Sequence, residues 1–512
     1  MRDIYITVNV TEGEQFTVSE IKMAGEFPVP EEELRELILL EPGAVFAREK
    51  LTESVKLITD RLGDDGYAFA NVNAAPELDK ENQQTSFTFF TDPGRKVYVR
   101  RINISGNDRT RDEVIRREFR QMEGGWHSTS KINLSRRRVD RLFFFTSVNV
   151  ETPPVPDAPD QVDINVSVVE RPTGAIMFGA GFSDRQGLIL NGSISQNNIF
   201  GTGNNLSLQV NTGGINKSYS ASFTDPYFTA DGISLGFDLF RRNLNTRRLS
   251  RVSRFRTNTT GFTTRVGIPI AENDIVTFGL GAEQTSIGVD ENSLPRNRDF
   301  VDEFGKTTNT LRLTVSWARD RRDSAIYTTA GTTHRLFGEV SVPGGDLDYY
   351  KISYAQKWFY PITDTFTFMF NGELGLGGGY TGKSLPFFKN FFAGGNNSVR
   401  GFDLNSLGPR ERLNEDSRAV ALGGNKRVVG NLEILFPMPF MKDDRSLRLS
   451  TFIDGGSVFA GKIDLDEMRY SAGIAVSWIS PMGPLKISLA KPLNEKPEDN
   501  LQVLQFQFGQ RF

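Results

Sequence analysis

Cysteine is absent from the 512 residues, and histidine occurs only twice, at His127 and His334, in distant parts of the chain. Thiolate nucleophiles, disulfides, zinc sites and Ser-His-Asp arrangements therefore have almost no material to form from. Neither sign of charge dominates: the formal net charge is −3 and the isoelectric point is near 5.8, which argues against nucleic acid as a partner. Long apolar runs are lacking as well. Hydrophobic residues make up 38% of the chain, mean hydropathy is −0.35, and nothing approaches the roughly 20 consecutive apolar residues of a membrane helix. A helical membrane protein is excluded. A membrane barrel is not, because in a barrel wall only alternate residues meet lipid.

Phenylalanine (40) and glycine (49) are plentiful, a mixture suited to twisted strands with aromatic girdles and tight turns. Lack of cysteine suits a chain that crosses an oxidising periplasm. Met1-Arg2-Asp3 leads straight into alternating Ile4 to Val8 without a secretory signal, so residues 1–16 are expected to be the tail strand of a preceding module.

Residues 17–93 and 94–171 repeat one plan, β-α-α-β-β. The first copy reads as a strand 19–24 ending at Gly25, a helix 31–40, Glu41-Pro42-Gly43, a helix 48–62, and strands 67–72 and 85–91. The second reads as a strand 98–105 ending at Gly106 and a helix opened by a Thr110/Glu113 capping box. Glu123-Gly124-Gly125, a helix 130–142 and strands 147–151 and 162–169 follow. Apolar residues at helical spacing (Val55, Ile58, Leu62; Ile132, Val139, Leu142) are expected to pack on a small three-stranded sheet. Each such module keeps an edge strand free, a template for an added strand of unfolded polypeptide. Arg116 to Glu123 is expected to form a charged helical face, and the proline-rich 152–161 a hairpin loop.

From Pro172 the helical period gives way to period two. Leu504, Phe506, Phe508 and Phe512 share a face opposite Gln505, Gln507, Gly509 and Arg511. Sixteen such runs, of about the length a tilted strand needs to cross a bilayer, predict an up-and-down transmembrane barrel over 172–512. They lie at 173–182, 187–196, 204–212, 217–224, 232–241, 258–268, 274–285, 307–319, 331–342, 349–360, 364–376, 427–436, 447–456, 470–479, 484–490 and 501–512. An even number puts both ends on the side of the repeats. The long connections (242–257, 286–306, 377–426) then fall outside and the short ones inside, apart from Asp320 to Ala330.

Within the sixth outer loop, 377–426, Val399-Arg400-Gly401-Phe402 places one cation after strong turn residues. Alternation aims Glu433 and Asp454 of the two following strands into the lumen. A buried cation needs a partner, so the loop is expected to fold inward with Arg400 pairing to Glu433 or Asp454. An arginine there holds both carboxylates ionised, which suits a structural lock better than an acid catalyst. Glycine clusters lack a following helix, so no phosphate loop is present. No catalytic residue, metal site or cofactor is expected.

These residues resemble the family of BamA-type outer-membrane assembly factors, in which periplasmic POTRA modules precede a sixteen-stranded barrel. The resemblance rests on Val399-Arg400-Gly401-Phe402, similar to that family's V-R-G-F/Y motif. Further matches are Gly201-Thr202-Gly203, Thr224 to Phe228, Ser480 to Leu485 and a final strand ending in Phe512. It implies that the repeats correspond to the fourth and fifth POTRA modules, with three more preceding them. It also implies an outer-membrane location and contact with lipid and lipopolysaccharide. Arg116, Arg120 and Glu123 become the dock for BamD, beside other accessory lipoproteins. The implied function is insertion of unfolded outer-membrane barrel precursors through a lateral gate between strands one and sixteen. Gly174, Gly179, Gly181 and Gly509 weaken that gate, and Phe506, Phe508 and Phe512 line it. A two-partner or translocation-and-assembly exporter is the alternative.

Overall fold

The computed structural model describes residues 14–249, 252–324, 327–363, 365–438, 446–480 and 483–508. The chain forms two compact units, one ending at Thr173 and the other beginning at Gly174.

The N-terminal unit holds two modules. In the first, β1 (Thr17–Gly25) pairs in parallel with β3 (Gln84–Asp92), which pairs antiparallel with β2 (Asn71–Asp79). Helices α1 (Glu31–Arg35) and α2 (Arg48–Asp64) cover one face. Leu34, Ile58, Leu62, Phe87 and Phe89 are fully buried between them, so the helical spacing marks the core face. The second module repeats this with β4 (Tyr98–Ser105), α3 (Asp112–Arg116), α4 (Thr129–Asp140), β5 (Phe145–Glu151), a short β6 (Pro154–Val155) and β7 (Ala158–Glu170). Here β7 is central, between β4 and β5.

Each sheet has one edge capped by its own turn. Gly43 and Ala44 exchange hydrogen bonds with Val18, and Gly124 and Gly125 do the same with Val99, at 2.7 to 2.9 Å. The Glu-Pro-Gly and Glu-Gly-Gly turns thus cover the start of β1 and β4, and among the described residues β2 and β5 are the open edges.

Four local expectations are corrected, the first being the strand expected at 67–72, which runs instead from Asn71 to Asp79. The first helix ends at Arg35 rather than Leu40, because Leu37 and Ile38 bond three residues back and the Leu39 amide is taken by Ser54 Oγ at 2.8 Å. The Thr110/Glu113 capping box does not form. Arg111 occupies the cap position, and the Thr110 amide donates to Glu170 Oε1 at 2.6 Å instead. Arg116 to Glu123 is not a helical face either. The helix stops at Arg116, and Glu118, Phe119 and Gln121 turn inward, Glu118 pairing with Arg138 at 2.9 Å.

The second unit is a closed antiparallel barrel of sixteen strands among the described residues. In order they are Gly174–Ser183, Gly187–Gln196, Asn205–Thr212, Asn216–Asp225, Ser234–Asn245, Arg256–Ala271, Asp274–Gly288 and Thr307–Asp320. The ninth to sixteenth are Gly331–Ser341, Tyr349–Pro361, Thr367–Gly379, Lys426–Pro437, Leu447–Phe459, Arg469–Ser480, Gly483–Pro492 and Leu504–Phe508. Each overlaps one of the sixteen alternating runs. Side chains such as Phe278, Leu280, Ile453 and Ile474 point outward and are exposed, as the lipid-facing half of a period-two pattern must be. Their neighbours Glu283, Asn431, Asp454 and Gln505 are buried inward.

The last run is not one strand. Leu501–Gln502 leaves the barrel and pairs with Gly401–Phe402 of the sixth loop, and the wall resumes at Leu504. The long turn after Asp320 also reaches far: Arg448 of the thirteenth strand donates to the Thr328 carbonyl at 2.6 Å and lies over the Tyr327 ring. The fifth-to-sixth connection carries a short helical turn, Thr246–Arg248, and the seventh-to-eighth a helix, Pro295–Phe304. That helix sets Val301 and Phe300 against Phe255 and Phe387.

Candidate functional site: the sixth loop and the barrel seam

Arg400 is 1% exposed, deep in the lumen. Gly394 and Gly395, at φ +105° and +99°, make the turn that sends the loop inward, and the Gly394 amide donates to Ser398 Oγ. Arg400 Nε donates to Asp454 Oδ2 at 2.7 Å and Nη2 to Oδ1 at 2.6 Å, a bidentate pair. Nη2 is also 2.7 Å from Glu433 Oε1. Both acids named from sequence therefore meet the arginine. The guanidinium carbon lies 3.3 Å from the centre of the Phe452 ring, a cation–π contact that helps offset its burial.

Three members of this site were not read from sequence. Asn431, opposite Asp454 in register, donates through Nδ2 to Asp454 Oδ1 and to the Ser398 carbonyl, and accepts from Asn371. Phe452 is the second. The third is Asp403, whose carboxylate is 2.7 Å from Arg185 in the turn between the first two barrel strands. A polar residue at an inward position beside each acid was the available signal for Asn431; nothing local marks Arg185.

Val399 and Phe402 are fully buried in a cluster with Phe391, Leu407 and Val458. Gly401, at φ +87°, turns the backbone so that Phe402 pairs with Leu501 and its carbonyl accepts from Gln505 Nε2 at 2.7 Å. The Asp403 amide bonds the Asn500 carbonyl at 2.8 Å. The motif is thus tied on one side to strands twelve and thirteen and on the other to the start of strand sixteen.

Among the described residues that strand shares five residue pairs with strand fifteen. Between strands sixteen and one, two pairs form among the described residues, Gln507 with Ser183 and Phe508 with Phe182. The Phe182 and Phe506 rings stack 6.0 Å apart on the outer face. Gly174 and Gly179 lie exposed along strand one and Gly181 is buried. Gly509 and Phe512 lie outside the described residues. A cavity of about 200 Å³ opens beside the seam, lined by Ser183, Gln186, Asn396, Asn397, Gln505 and Gln507.

The N-terminal candidates lie in the first unit. Arg116 bonds Asp112 and Glu123 and the Ile102 carbonyl, Glu123 also accepts from the Ile102 amide, and Arg120 Nη1 donates to the carbonyls of Arg117 and Phe119. Arg116 and Glu123 remain about half exposed beside exposed Met122 and Trp126.

Comparison with known proteins follows the same division. The Omp85 superfamily domain matches residues 198–512, and POTRA, described as a surface antigen variable number repeat, matches 16–94 and 97–171. The outer membrane protein assembly factor BamA of Neisseria meningitidis is 39% identical across 99% of this chain and 68% of its own length. The crystal structure of BamA from Haemophilus ducreyi lacking POTRA domains 1–3 superposes with a TM-score of 0.76 at 30% identity, covering 96% of this chain and 99% of that one. CdiB from Escherichia coli, at 17% identity and a TM-score of 0.54 over 97% of this chain and 90% of its own, shares the fold. With both halves matched in order and the sixth-loop arginine seated on its acids, this chain belongs to the BamA family of outer membrane protein assembly factors within the Omp85 superfamily.

Proposed function

We propose that the chain inserts unfolded barrel precursors into the outer membrane through its seam, the incoming strand adding to the edge of strand one as that edge parts from strand sixteen. The observation that carries the reading is the break in the last strand: Leu501–Gln502 is given to the sixth loop, so strand sixteen joins the wall only from Leu504, and its described pairs with strand one are Gln507 with Ser183 and Phe508 with Phe182. Each backbone hydrogen bond withheld from the wall forfeits a net contribution of roughly 0.5–1.5 kcal/mol, so the residues given to the loop lower the cost of parting strand sixteen from its neighbours. An extended strand of a precursor satisfies the exposed donors and acceptors, which is β-augmentation. No nucleotide is required, because burial of the client's lipid-facing side chains supplies free energy.

The open edges β2 and β5 are, on this reading, the periplasmic sites that hold precursors. The half-exposed Arg116 and Glu123, with Arg120, Met122 and Trp126, form the surface for BamD and its companion lipoproteins. Lipid and lipopolysaccharide meet the outer wall. Export of a polypeptide through the lumen is disfavoured by the same geometry, since the sixth loop occupies that route with Arg400 buried.

The absence of native cysteine makes the test clean. Ser183→Cys with Gln507→Cys places two thiols at directly opposed positions, a separation a disulfide spans. Oxidation in proteoliposomes is expected to stop insertion of a barrel client and reduction to restore it. Undiminished insertion by the fully cross-linked protein rejects the gate.

A further inference from the structure

The first half of the sixth loop carries a second, partly buried cation that the Arg400 site does not use. Lys389 Nζ is 2.8 Å from Glu283 Oε1 and 3.1 Å from Glu339 Oε1, on the seventh and ninth strands. Both acids are less than a tenth exposed. Arg312, on the strand between them, is 3.3 Å from Glu283 and 2.8 Å from Glu339. The Tyr349 hydroxyl donates to Glu339 Oε1 at 2.5 Å, and Lys351 Nζ donates to the Lys389 carbonyl at 2.7 Å. Two carboxylates facing one arginine leave a buried negative charge. The loop's lysine cancels it, and in doing so ties the loop to the wall.

We propose that Lys389 is a positioning residue, a second ionic anchor that sets where the loop stands when Arg400 engages its acids. The chain between the anchors is held along its length. Phe391 and Gly424 exchange backbone bonds at 2.8 and 2.9 Å, Ala393 packs in the cluster of Val399 and Phe402, and Gly395 closes the turn onto the Val399 carbonyl. A shift at Lys389 is therefore passed on rather than absorbed. The loop is gripped by strands seven and nine at one end and by strands twelve and thirteen at the other.

The test reads loop position directly and holds whether or not the seam opens. Ser398→Cys places a single thiol two residues before Arg400, at a site 7% exposed, in a chain with no other cysteine. In the folded barrel its maleimide labelling is expected to be slow, and to stay slow with Lys389→Arg. Lys389→Met is expected to raise the rate about tenfold, the change that a modest loss of local stability produces. Because that variant leaves an uncompensated acid, Lys389→Met with Glu283→Gln restores charge balance. Folding then recovers, while labelling stays fast if the lysine positions the loop. Slow labelling in the balanced double variant, or in folded Lys389→Met, overturns the proposal.

Discussion

Arg400 holds Asp454 by three hydrogen bonds: its backbone amide and Nε both donate to Oδ2, at 3.0 and 2.7 Å, and Nη2 donates to Oδ1 at 2.6 Å. Both the position of the loop backbone and the orientation of the side chain are fixed by one carboxylate. Glu433 adds a single contact at 2.7 Å. The two acids are therefore unequal partners, although the sequence presents them alike.

This inequality sets the order of mutational effects. Removing one member of a buried pair leaves the other charge uncompensated, typically about 3–5 kcal/mol. Asp454→Asn is expected to cost more than Glu433→Gln, and Arg400→Lys to lose most of what Arg400→Ala loses, because an ammonium lacks the planar fork. Urea titration of the folded, fast-migrating form on unheated gels measures each. Arg400→Ala combined with Asp454→Ala should cost well under the sum of the two. Full additivity would remove the pairing from the account.

Gly401 gives a sharper local test. At φ +87° a side chain is strained, by roughly 1–2 kcal/mol for an L-residue in the left-handed region, and a Cβ there would stand 3.3 Å from Ala490 Cβ. Gly401→Ala is expected to destabilise the folded barrel by about that amount, and Gly401→Val by more. The Phe402–Leu501 pairing should fray first, seen as faster hydrogen exchange at the Asp403 amide bonded to Asn500. Unchanged exchange with Gly401→Val would show that the motif does not hold the start of the last strand.

Why some of this was legible in sequence and some not follows from range. Period two exposes a lipid-facing wall residue by residue, so every barrel strand was visible, and the same parity aimed Glu433 and Asp454 inward. The break in the last strand was also written locally: Val503 and Leu504 are adjacent apolar residues, a slip in phase inside an otherwise alternating run. The helix Pro295–Phe304 was hidden because its apolar face packs on Phe387 of another loop, not on a strand that alternation would flag. Lys389 with Glu283, and Arg185 with Asp403, join residues over one hundred or two hundred positions apart. No spacing rule reaches so far. The absent capping box at Thr110 is the opposite failure, a local rule overridden by a tertiary acceptor, Glu170.

The joint between the two N-terminal modules carries a pH dependence of definite sign. His127 is buried, with Nδ1 3.0 Å from the Gly63 carbonyl, so the neutral ring donates its proton there. Beside it Asp64 accepts from the Ser128 hydroxyl and the Ser130 amide, and the Val97 amide bonds the Gly66 carbonyl. Burial pushes the pKa of His127 below its usual 6.5, against smaller opposing effects of the Gly63 carbonyl and Asp64. The unfolded chain then binds a proton more readily than the folded one. The stability contributed by the neutral ring is complete above about pH 6.5 and is lost as pH falls through the folded value. Protection of the Val97 amide, corrected for intrinsic exchange, is expected to decline below pH 6.5 in the parent and to flatten in His127→Gln. An identical decline in both would show that the His127 ring does not set it.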